Sequence, residues 1–557
     1  MNWSGFKVFM SIHRSQTLFS QVQGASMSQA NPSGWQRHAR TLALALAAGA
    51  GCFVLAGCNG GGKAPMAGDA PMQVGAKFAP EDANKQNAES YGAIVENEFR
   101  SPLVEPRSTF SSDVNTASYS NVRRFLNEGR LPPKDAVLLA EFVNYFPYQY
   151  PAPKGSDPVS LTLDLGPCPW KPEHKLARIG VRARDIPQDE IPARNLVFLI
   201  DTSGSMAASN RLPLVKECLL LLVNRLTDKD QVTIVTYAGE AGLKLPTTPG
   251  SRKQAIRDVV NSLNANGSTN GGGGITLAYE MARRSFIQGG ANRVILCTDG
   301  DFNVGVSNQS DLRQLIEKER ASGVFLSVLG FGMGNYKDAT LKELANYGNG
   351  QHAYIDTIAE GRKVFVEQAG TLVCVAKDVK FQIDFNPAKV GAYRLIGYEN
   401  RILKQEDFKN DEKDAGDMGA GHTVTALYEI VPKGVKINLP DVDPIKYQKP
   451  TEVAGNADEW LTVKMRYKQP DGEASKELAA TLAGAGQEVA GEDFRFASAV
   501  VEFGLLLRDS KFKADASYER VIERAESARA FDPNDHRKEF VQLARKAQQL
   551  SGSKSRE

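Results

Sequence analysis

The sequence predicts a doubly wound α/β domain with a mainly parallel sheet, inserted in a β-sandwich-like region and flanked by small helical N- and C-terminal segments. Between residues 194 and 372, short apolar runs alternate with segments of helical period. That alternation is typical of parallel strands joined by helices. On both sides of it, apolar and polar residues alternate singly, which indicates antiparallel strands.

The α/β region begins with the run 196–200, which is apolar at every position and predicts a strand buried on both faces. Further strands are predicted at 232–237, 294–296, 324–329 and 352–355, with helices at 214–226, 252–264, 273–287, 309–322 and 341–347. In this architecture ligands bind at the carboxyl ends of the strands, so the loops there are the first place to look for a site.

The flanking regions predict a second layer of structure. Residues 160–184 alternate as strands, as do 379–383, 426–431 and 461–465, and we expect all of them to pack as one sandwich around the insertion. Residues 404–420 are charged and rich in glycine, which predicts a surface loop. Helical patterns occupy 116–127, the segment after Pro132, and 491–550; the last is predicted to form a small helical cap.

The N-terminus has the layout of an export signal. Arg37 and Arg40 precede a run of small and apolar residues that ends at Gly57, with Met27 as an alternative start. The four residues ending at Cys58 resemble a bacterial lipoprotein signal, whose cysteine is lipidated after cleavage. That resemblance implies a lipid-anchored protein of the cell envelope, in the outer membrane if the host is Gram-negative, because Asn59 and not Asp follows the cysteine. A short membrane anchor helix is the alternative.

Composition excludes some classes of function. Among 557 residues the net charge is only +2, and positive and negative residues are interspersed. The charge pattern therefore does not indicate a nucleic-acid-binding surface. The glycine run 271–274 lacks the G-K-[ST] ending of a phosphate loop, which argues against a nucleotide. The cysteines form no CxxC pair, and Cys218 and Cys297 are predicted to be buried thiols.

Three loops that follow predicted strands hold hard oxygen donors. The first reads D-x-S-x-S from Asp201 to Ser205, the second contains Thr269, and the third contains Asp299. Carboxylates and hydroxyls are ligands that suit Mg²⁺, Mn²⁺ or Ca²⁺. Because the carboxyl ends of parallel strands meet at one edge of a sheet, we expect the three loops to converge.

Asp201, Ser203, Ser205, Thr269 and Asp299 together resemble the metal-ion-dependent adhesion site of von Willebrand factor type A domains. The resemblance implies a bound divalent cation, with Mg²⁺ preferred over Mn²⁺ or Ca²⁺. It also implies a protein partner that supplies an acidic side chain to the open position of the metal. Asp301 and Ser268 are expected in the outer shell of this site.

The resemblance extends beyond the metal loops. Residues 108–147 look like the N-terminal extension of a bacterial group of these proteins, and 376–400 look like the C-terminal region that follows the domain there. The predicted segments are a signal peptide (1–57), a lipidated flexible tether (58–89), a helical N-terminal region (90–153), sandwich strands (154–193), the von Willebrand factor type A domain (194–372), a β-rich C-terminal domain (373–485) and a helical C-terminal segment (486–557).

Alternative interpretations of the same residues remain open at this point. Ser203 and Ser205 could cap the following helix, and Asp299 could belong to a simple turn. No nucleophile with an oriented base is apparent, and His352 is interpreted as structural, so no catalytic residue is assigned and a non-enzymatic binding protein is expected. The other functions considered are an accessory or processing factor, associated with a hydrolase, whose α/β domain recruits substrate, and a metal-free structural protein of the envelope.

Overall fold

A computed structural model of the chain describes residues 89–554, apart from 188, 239–240, 268–271, 301–308, 335, 438, 440–457, 471, 473 and 485–490. The predicted signal peptide, Met27 and Cys58 lie outside the described residues, as does the tether up to residue 88. Within the described part of the chain, no helix combines the length and the apolar character needed to cross a membrane.

Strands and helices alternate along the chain in three blocks. The strands are β1 (Arg107–Ser111), β2 (Val159–Pro167), β3 (Lys175–Ala183), β4 (Arg194–Asp201), β5 (Gln231–Tyr237), β6 (Ala241–Pro249), β7 (Ala291–Thr298), β8 (Val324–Phe331), β9 (His352–Ile355), β10 (Cys374–Phe385), β11 (Val390–Ile396), β12 (Gly416–Gly419), β13 (Thr423–Pro432), β14 (Glu459–Lys468) and β15 (Ser475–Ala483). The helices are α1 (Ala117–Asn127), α2 (Leu139–Asn144), α3 (Leu212–Arg225), α4 (Lys253–Ser262), α5 (Gly272–Arg284), α6 (Gln309–Ala321), α7 (Asp338–Tyr347), α8 (Ile358–Arg362), α9 (Glu492–Arg508), α10 (Tyr518–Glu526) and α11 (His536–Lys554).

The central block is a sheet of order β6-β5-β4-β7-β8-β9, in which β4, β5, β7, β8 and β9 pair in parallel. Along β4, Phe198 and Ile200 pack into the core shared with α3 and α4, whereas Val197 and Leu199 pack into the core shared with α5, α6 and α7. Successive side chains of a strand point to opposite faces, so a strand between two helical layers is apolar throughout. The predicted doubly wound sheet is confirmed.

The strand β6 was not predicted from the sequence. It runs antiparallel to β5 at the edge of the sheet. Its sequence contains Pro246 and Pro249, and its exposed positions include Lys244. Proline and polar residues are tolerated on edge strands, where they also erase the apolar signal that identifies a buried strand.

The sandwich consists of two antiparallel sheets with one core between them. One sheet has the order β11-β13-β3-β2, and the other has the order β1-β10-β14-β15, with β12 added to β10. Their inner faces share one core, which includes Ile179 and Tyr428 from the first sheet and Phe381 and Val463 from the second. The α/β domain is inserted between β3 and β10, so the predicted sandwich with an insertion is confirmed.

The expectation of a surface loop over residues 404–420 is wrong at its end. Residues 416–419 form β12, and the side chain of Met418 is fully buried in the sandwich core. The strand is only four residues long and begins and ends with glycine, so it carries no alternating pattern. The strands β11 and β15 were also missed.

The helices before and after the sandwich form one structure. Helices α1 and α2 share a hydrophobic core with α9, α10 and α11. Phe146 of the N-terminal segment contacts both Phe496 and Phe540, with ring centroids 4.9 and 5.7 Å apart. The sequence predicted a helical N-terminal region. The structure places the strand β1 inside this region, where it pairs with β10.

A buried ion network joins this helical core to the α/β domain. Arg123 of α1 contacts Asp356, which follows β9, and its Nη2 lies 2.7 Å from Oε2 of Glu360 in α8. Its Nη1 donates to Glu539 of α11 at 3.1 Å. The side chains of Arg123, Asp356 and Glu360 are all buried, so the pairs with Asp356 and Glu360 are shielded from solvent, whereas Glu539 is partly exposed.

Candidate metal centre

Two carboxylates lie at the carboxyl edge of the parallel sheet. Asp201 is the last residue of β4, and Asp299 follows directly after β7, the neighbouring strand. Both side chains are fully buried. The parallel register of the two strands therefore places the acidic residues of the first and third predicted loops side by side.

The first loop is folded against its own aspartate. The backbone N–H of Ser203 donates to Oδ1 of Asp201 at 2.8 Å, and the hydroxyls of Ser203 and Ser205 lie 3.0 Å apart. The backbone N–H of Gly204 donates to the carbonyl of Gly267 at 3.1 Å. This last contact ties the first loop to the start of the second, which holds Thr269.

The capping interpretation of the serines fails. A short 3₁₀ helix, Gly204–Ala207, begins after Ser203, yet the Ser203 side chain makes no capping hydrogen bond. The N-terminal cap position of α3 is occupied by Arg211, which also makes no capping bond from its side chain. Since neither helix uses the two serine hydroxyls as caps, both remain suited to coordination.

The second oxygen of Asp201 is held by two hydroxyls from neighbouring strands. Tyr237 at the end of β5 donates to Oδ2 at 3.3 Å, and Thr298 at the end of β7 donates to it at 3.4 Å. The pKa of Asp201 is raised to about 6, mainly by burial and also by the nearby carboxylate of Asp299, against the hydrogen bonds from Ser203. Two carboxylates in one buried site therefore require a compensating positive charge.

Arg211 provides part of that charge, and the sequence analysis did not identify it. Its Nη1 lies 2.8 Å from Oδ2 of Asp299 and donates to the carbonyl of Ser205 at 2.5 Å. Its Nη2 donates to the carbonyl of Met333, in the loop after β8. The arginine thus links the first and third candidate loops to a fourth loop, a connection for which the sequence carries no signal.

Three of the predicted site residues, Thr269, Ser268 and Asp301, lie outside the described residues. Asp201, Ser203, Ser205 and Asp299 are brought to one place at the sheet edge. In the ranges that the structure describes, no group of three or more His, Cys, Asp or Glu side chains is arranged to hold a metal. The candidate centre is not such a group, because its described part contains only two carboxylates, Asp201 and Asp299, and its other described oxygen donors are the hydroxyls of Ser203 and Ser205. Buried carboxylate and hydroxyl oxygens fit a hard divalent cation.

The histidine and cysteines of the α/β domain lie in structural positions. His352 is fully buried, and its Nε2 lies 3.0 Å from the hydroxyl of Tyr336. Cys218 and Cys297 are free and buried, as predicted. Cys168 and Cys374 are also free, so the four described cysteines form no disulfide with one another.

Matches to known protein families follow the three blocks of the chain. Residues 195–365 match the family described as "von Willebrand factor type A domain", and residues 85–178 match one described as "von Willebrand factor". Residues 370–550 match the family described as "Uncharacterized protein YfbK, C-terminal". The expected resemblance of the flanking regions to a bacterial group is thereby supported.

Individual relatives extend this pattern. A human protein, "Inter-alpha-trypsin inhibitor heavy chain H3", is 28% identical over 177 residues, which are 30% of this chain and 20% of that protein. A solved structure, "von Willebrand factor type A from Catenulispora acidiphila", is 15% identical with a TM-score of 0.37, over 66% of this chain and 86% of that one.

A longer similarity concerns a bacterial protein. "Uncharacterized protein YfbK" from Escherichia coli (strain K12) is 44% identical over 468 residues, which are 81% of this chain and 80% of that protein. Since both proteins align over about four fifths of their length, the chain belongs to the YfbK family, with a von Willebrand factor type A domain at residues 195–365.

Proposed function

We propose that the chain binds a divalent cation, with Mg²⁺ preferred over Mn²⁺ or Ca²⁺, and uses it to hold a partner protein. Asp201, Ser203, Ser205, Thr269 and Asp299 would hold the cation. The observation that carries this proposal is the pair of fully buried carboxylates, Asp201 and Asp299, at adjacent strand ends beside two serine hydroxyls that cap no helix.

Charge balance supports a cation at this position. Two buried carboxylates repel each other, and burial of an uncompensated charge is costly. Arg211 contributes one positive charge, directed at Asp299. A divalent cation among the oxygens would compensate Asp201 as well and would retain a positive charge for an incoming ligand.

The nature of the domain supports a protein as that ligand. Von Willebrand factor type A domains generally mediate contacts between proteins, and the chain contains one. A carboxylate from the partner would complete the cation's coordination. The surface around the loops that begin at Asp201, Asn266 and Asp299 would supply the remaining specificity, with Ser268 and Asp301 orienting the ligands from the outer shell.

The first test is calorimetric titration of the full chain with MgCl₂ and MnCl₂. Saturable binding is expected for the wild type, and its loss is expected in Asp201→Ala/Ser203→Ala. The matched control is Asp258→Ala/Ser262→Ala, which removes the same two groups from the exposed surface of α4 in the same domain. Equal binding by both double variants, or no binding by the wild type with envelope extract present, would overturn the metal proposal.

We further propose that the protein is held at the cell envelope by lipid on Cys58, in the outer membrane of a Gram-negative host. The sequence supports this through the apolar run before Cys58 and the Asn59 that follows it. Acyl chains contribute on the order of 0.8 kcal/mol per buried CH₂, so a multiply acylated cysteine is sufficient for stable attachment. Cys58→Ser is expected to abolish incorporation of radiolabelled palmitate and the recovery of the protein with the membrane fraction. Unchanged labelling and fractionation would contradict the anchor.

A further inference from the structure

A cavity that is separate from the candidate metal centre lies where the α/β domain meets the sandwich. Its volume is about 410 Å³, within the range of about 300–1,000 Å³ that is common for small-molecule sites. Arg293 of β7 and Gln351, just before β9, line it from the α/β domain. Cys374 of β10, Asp417 of β12 and His422 line it from the sandwich.

Arg293 is buried and forms no ion pair among the described residues, although Asp417 in the same cavity acts on it over a longer distance. The residue is 4% exposed, and its described donations go to neutral acceptors: Ser327 Oγ at 2.8 Å and the carbonyl of Leu372 at 3.3 Å. Among the described residues, its Nε has no hydrogen-bond acceptor and no carboxylate lies within ion-pair distance. Burial lowers the pKa of Arg293 to about 10, so the guanidinium is still charged at neutral pH.

The other arginines that line the cavity differ from Arg293 because each has an acidic partner. Arg313 pairs with Glu317 at 2.8 Å, and Arg320 pairs with Asp414 at 2.5 Å. Arg401 pairs with Asp113 at 3.2 Å. Since a buried charge is normally held in an ion pair, Arg293, which interacts with Asp417 only beyond ion-pair distance, is the lining arginine suited to a ligand's negative charge.

Asp417 offers a complementary group in the same cavity. Its Oδ1 accepts a hydrogen bond from the backbone N–H of Asp378 at 3.0 Å, while its Oδ2 is buried and has no partner among the described atoms. The pKa of Asp417 is raised to about 7, mainly by burial and also by the nearby carboxylates of Asp378 and Asp414, against the hydrogen bond from the Asp378 backbone. A protonated carboxyl can donate a hydrogen bond to a ligand oxygen.

We propose that this cavity is a binding site for a small organic molecule that carries one carboxylate, with Arg293 as its counter-ion. A guanidinium binds a planar carboxylate through two parallel hydrogen bonds, and Asp417 would donate to the same ligand. Arg293 is the buried cation of the lining that forms no ion pair within the described chain, and it matches a single negative charge, whereas Lys413 of the lining is exposed to solvent. A phosphate dianion would leave excess negative charge beside Asp417. The site does not depend on the metal centre.

The test is calorimetric titration of the full chain at fixed ionic strength and neutral pH. The probes are acetate, pyruvate and benzoate, with inorganic phosphate as the competing anion and benzamide as an uncharged match for benzoate. Small molecules released when the purified protein is denatured are identified by mass spectrometry, which detects a ligand that has remained bound. We expect saturable 1:1 binding of a carboxylate, or its release, and no binding of phosphate or benzamide.

Arg293→Met is expected to weaken carboxylate binding by at least about tenfold, because it removes a charged hydrogen-bond donor. The matched control is Arg313→Met, which removes an arginine that is paired with Glu317 at the exposed rim; a change below twofold is expected. If Arg293→Met does not fold, Arg293→Lys is used in its place. Lysine keeps the positive charge but lacks the planar guanidinium group, so the same tenfold weakening of carboxylate binding is expected.

Three results would overturn the proposal. One is binding of phosphate in preference to every carboxylate. Another is carboxylate binding that Arg293 variants do not weaken. The third is a protein that neither binds any of the three carboxylate probes nor releases a carboxylate on denaturation.

Discussion

At the residue scale, the guanidinium of Arg211 connects the loops that carry the candidate metal ligands. It contacts Asp299 and the backbone of the loops that contain Ser205 and Met333. An arginine that contacts one of two buried carboxylates acts as a counter-ion built into the protein. We therefore expect Arg211 and a divalent cation to stabilise the same loops.

Replacement of this arginine is predicted to make the protein depend on added metal. Arg211→Met removes one partner of a buried ion pair, which lowers the free energy of unfolding by about 3 kcal/mol in EDTA. Added Mg²⁺ is expected to restore more stability to this variant than to the wild type, because the cation also neutralises Asp299. Urea unfolding with and without Mg²⁺ measures both effects.

The control for Arg211 is Arg225→Met at the exposed end of the same helix, for which a change within about 0.5 kcal/mol is expected. Equal losses in the two variants would show that the ion pair with Asp299 contributes nothing.

His352 is predicted to make stability depend on pH. Burial lowers its pKa to about 4, against the nearby carboxylate of Asp338, while Lys342 adds to the decrease. The folded state therefore binds the proton more weakly than the unfolded state, whose histidine titrates near 6.5. Stability contributed by the neutral imidazole is complete above about 6.5 and is lost as the pH falls toward 4.

The measurement is the difference in unfolding free energy between the wild type and His352→Gln at several pH values. Glutamine does not titrate, so the wild type is expected to lose roughly 2 kcal/mol relative to the variant between pH 6.5 and 4.5. A difference that stays constant over this interval would contradict the prediction.

At the element scale, contacts between helices override the intrinsic preferences of their residues. Gly504 lies inside α9, where alanine would ordinarily favour the helix by up to about 1 kcal/mol. A Cβ atom at this position would lie 2.3 Å from Cδ2 of Leu139, a fully buried residue of α2. The glycine is therefore required by the close approach of α9 and α2.

Gly504→Ala is predicted to lower the free energy of unfolding by about 1–2 kcal/mol, because overpacking outweighs the gain in helix preference. Gly552→Ala in α11 is the matched control, since a Cβ there meets no atom within 4 Å. The control is expected to leave stability unchanged or to raise it by up to about 1 kcal/mol. Chemical denaturation of both variants tests the difference, and an equal response would refute it.

At the scale of the whole molecule, buried ion pairs join the α/β domain to the parts that surround it. Lys342 of α7 contacts Glu141 of α2 at 2.5 Å, and Arg123 of α1 contacts Glu360 of α8 at 2.7 Å. If the α/β domain unfolded alone, Glu141 and Arg123 would stay buried in the folded rest of the protein without their ion-pair partners. Each such loss costs about 3–5 kcal/mol, so separate unfolding is disfavoured.

We predict that the inserted domain and its surroundings unfold in one transition. Trp170 reports on the helical core and Trp460 on the sandwich, whereas the buried thiols of Cys218 and Cys297 report on the α/β domain. Fluorescence of a Trp3→Phe/Trp35→Phe variant and pulsed thiol labelling of the two cysteines, quantified by mass spectrometry, are expected to give coincident urea midpoints. Labelling that precedes the fluorescence change would show independent unfolding of the insertion.

The agreement between sequence and structure is best where a residue's role is local or periodic. The apolar runs of β4 and β5 predicted buried strands because a strand covered on both faces has no polar position. The position of the D-x-S-x-S loop at the sheet edge was predictable because the motif comes directly at the end of the apolar run that forms β4. The strands β6 and β12 were missed because an edge strand with prolines and a strand of four residues lack such a period.

The sequence alone determined the class of fold, the insertion of the α/β domain in a sandwich, and the loops that carry Asp201 and Asp299. These follow from periodicity and from the order of elements along the chain. Only the tertiary structure decided that Arg211 reaches Asp299 and that Arg293, at the domain junction, forms no ion pair among the described residues. Pairing between distant side chains depends on how packed elements are oriented in space, and no short sequence pattern records that orientation.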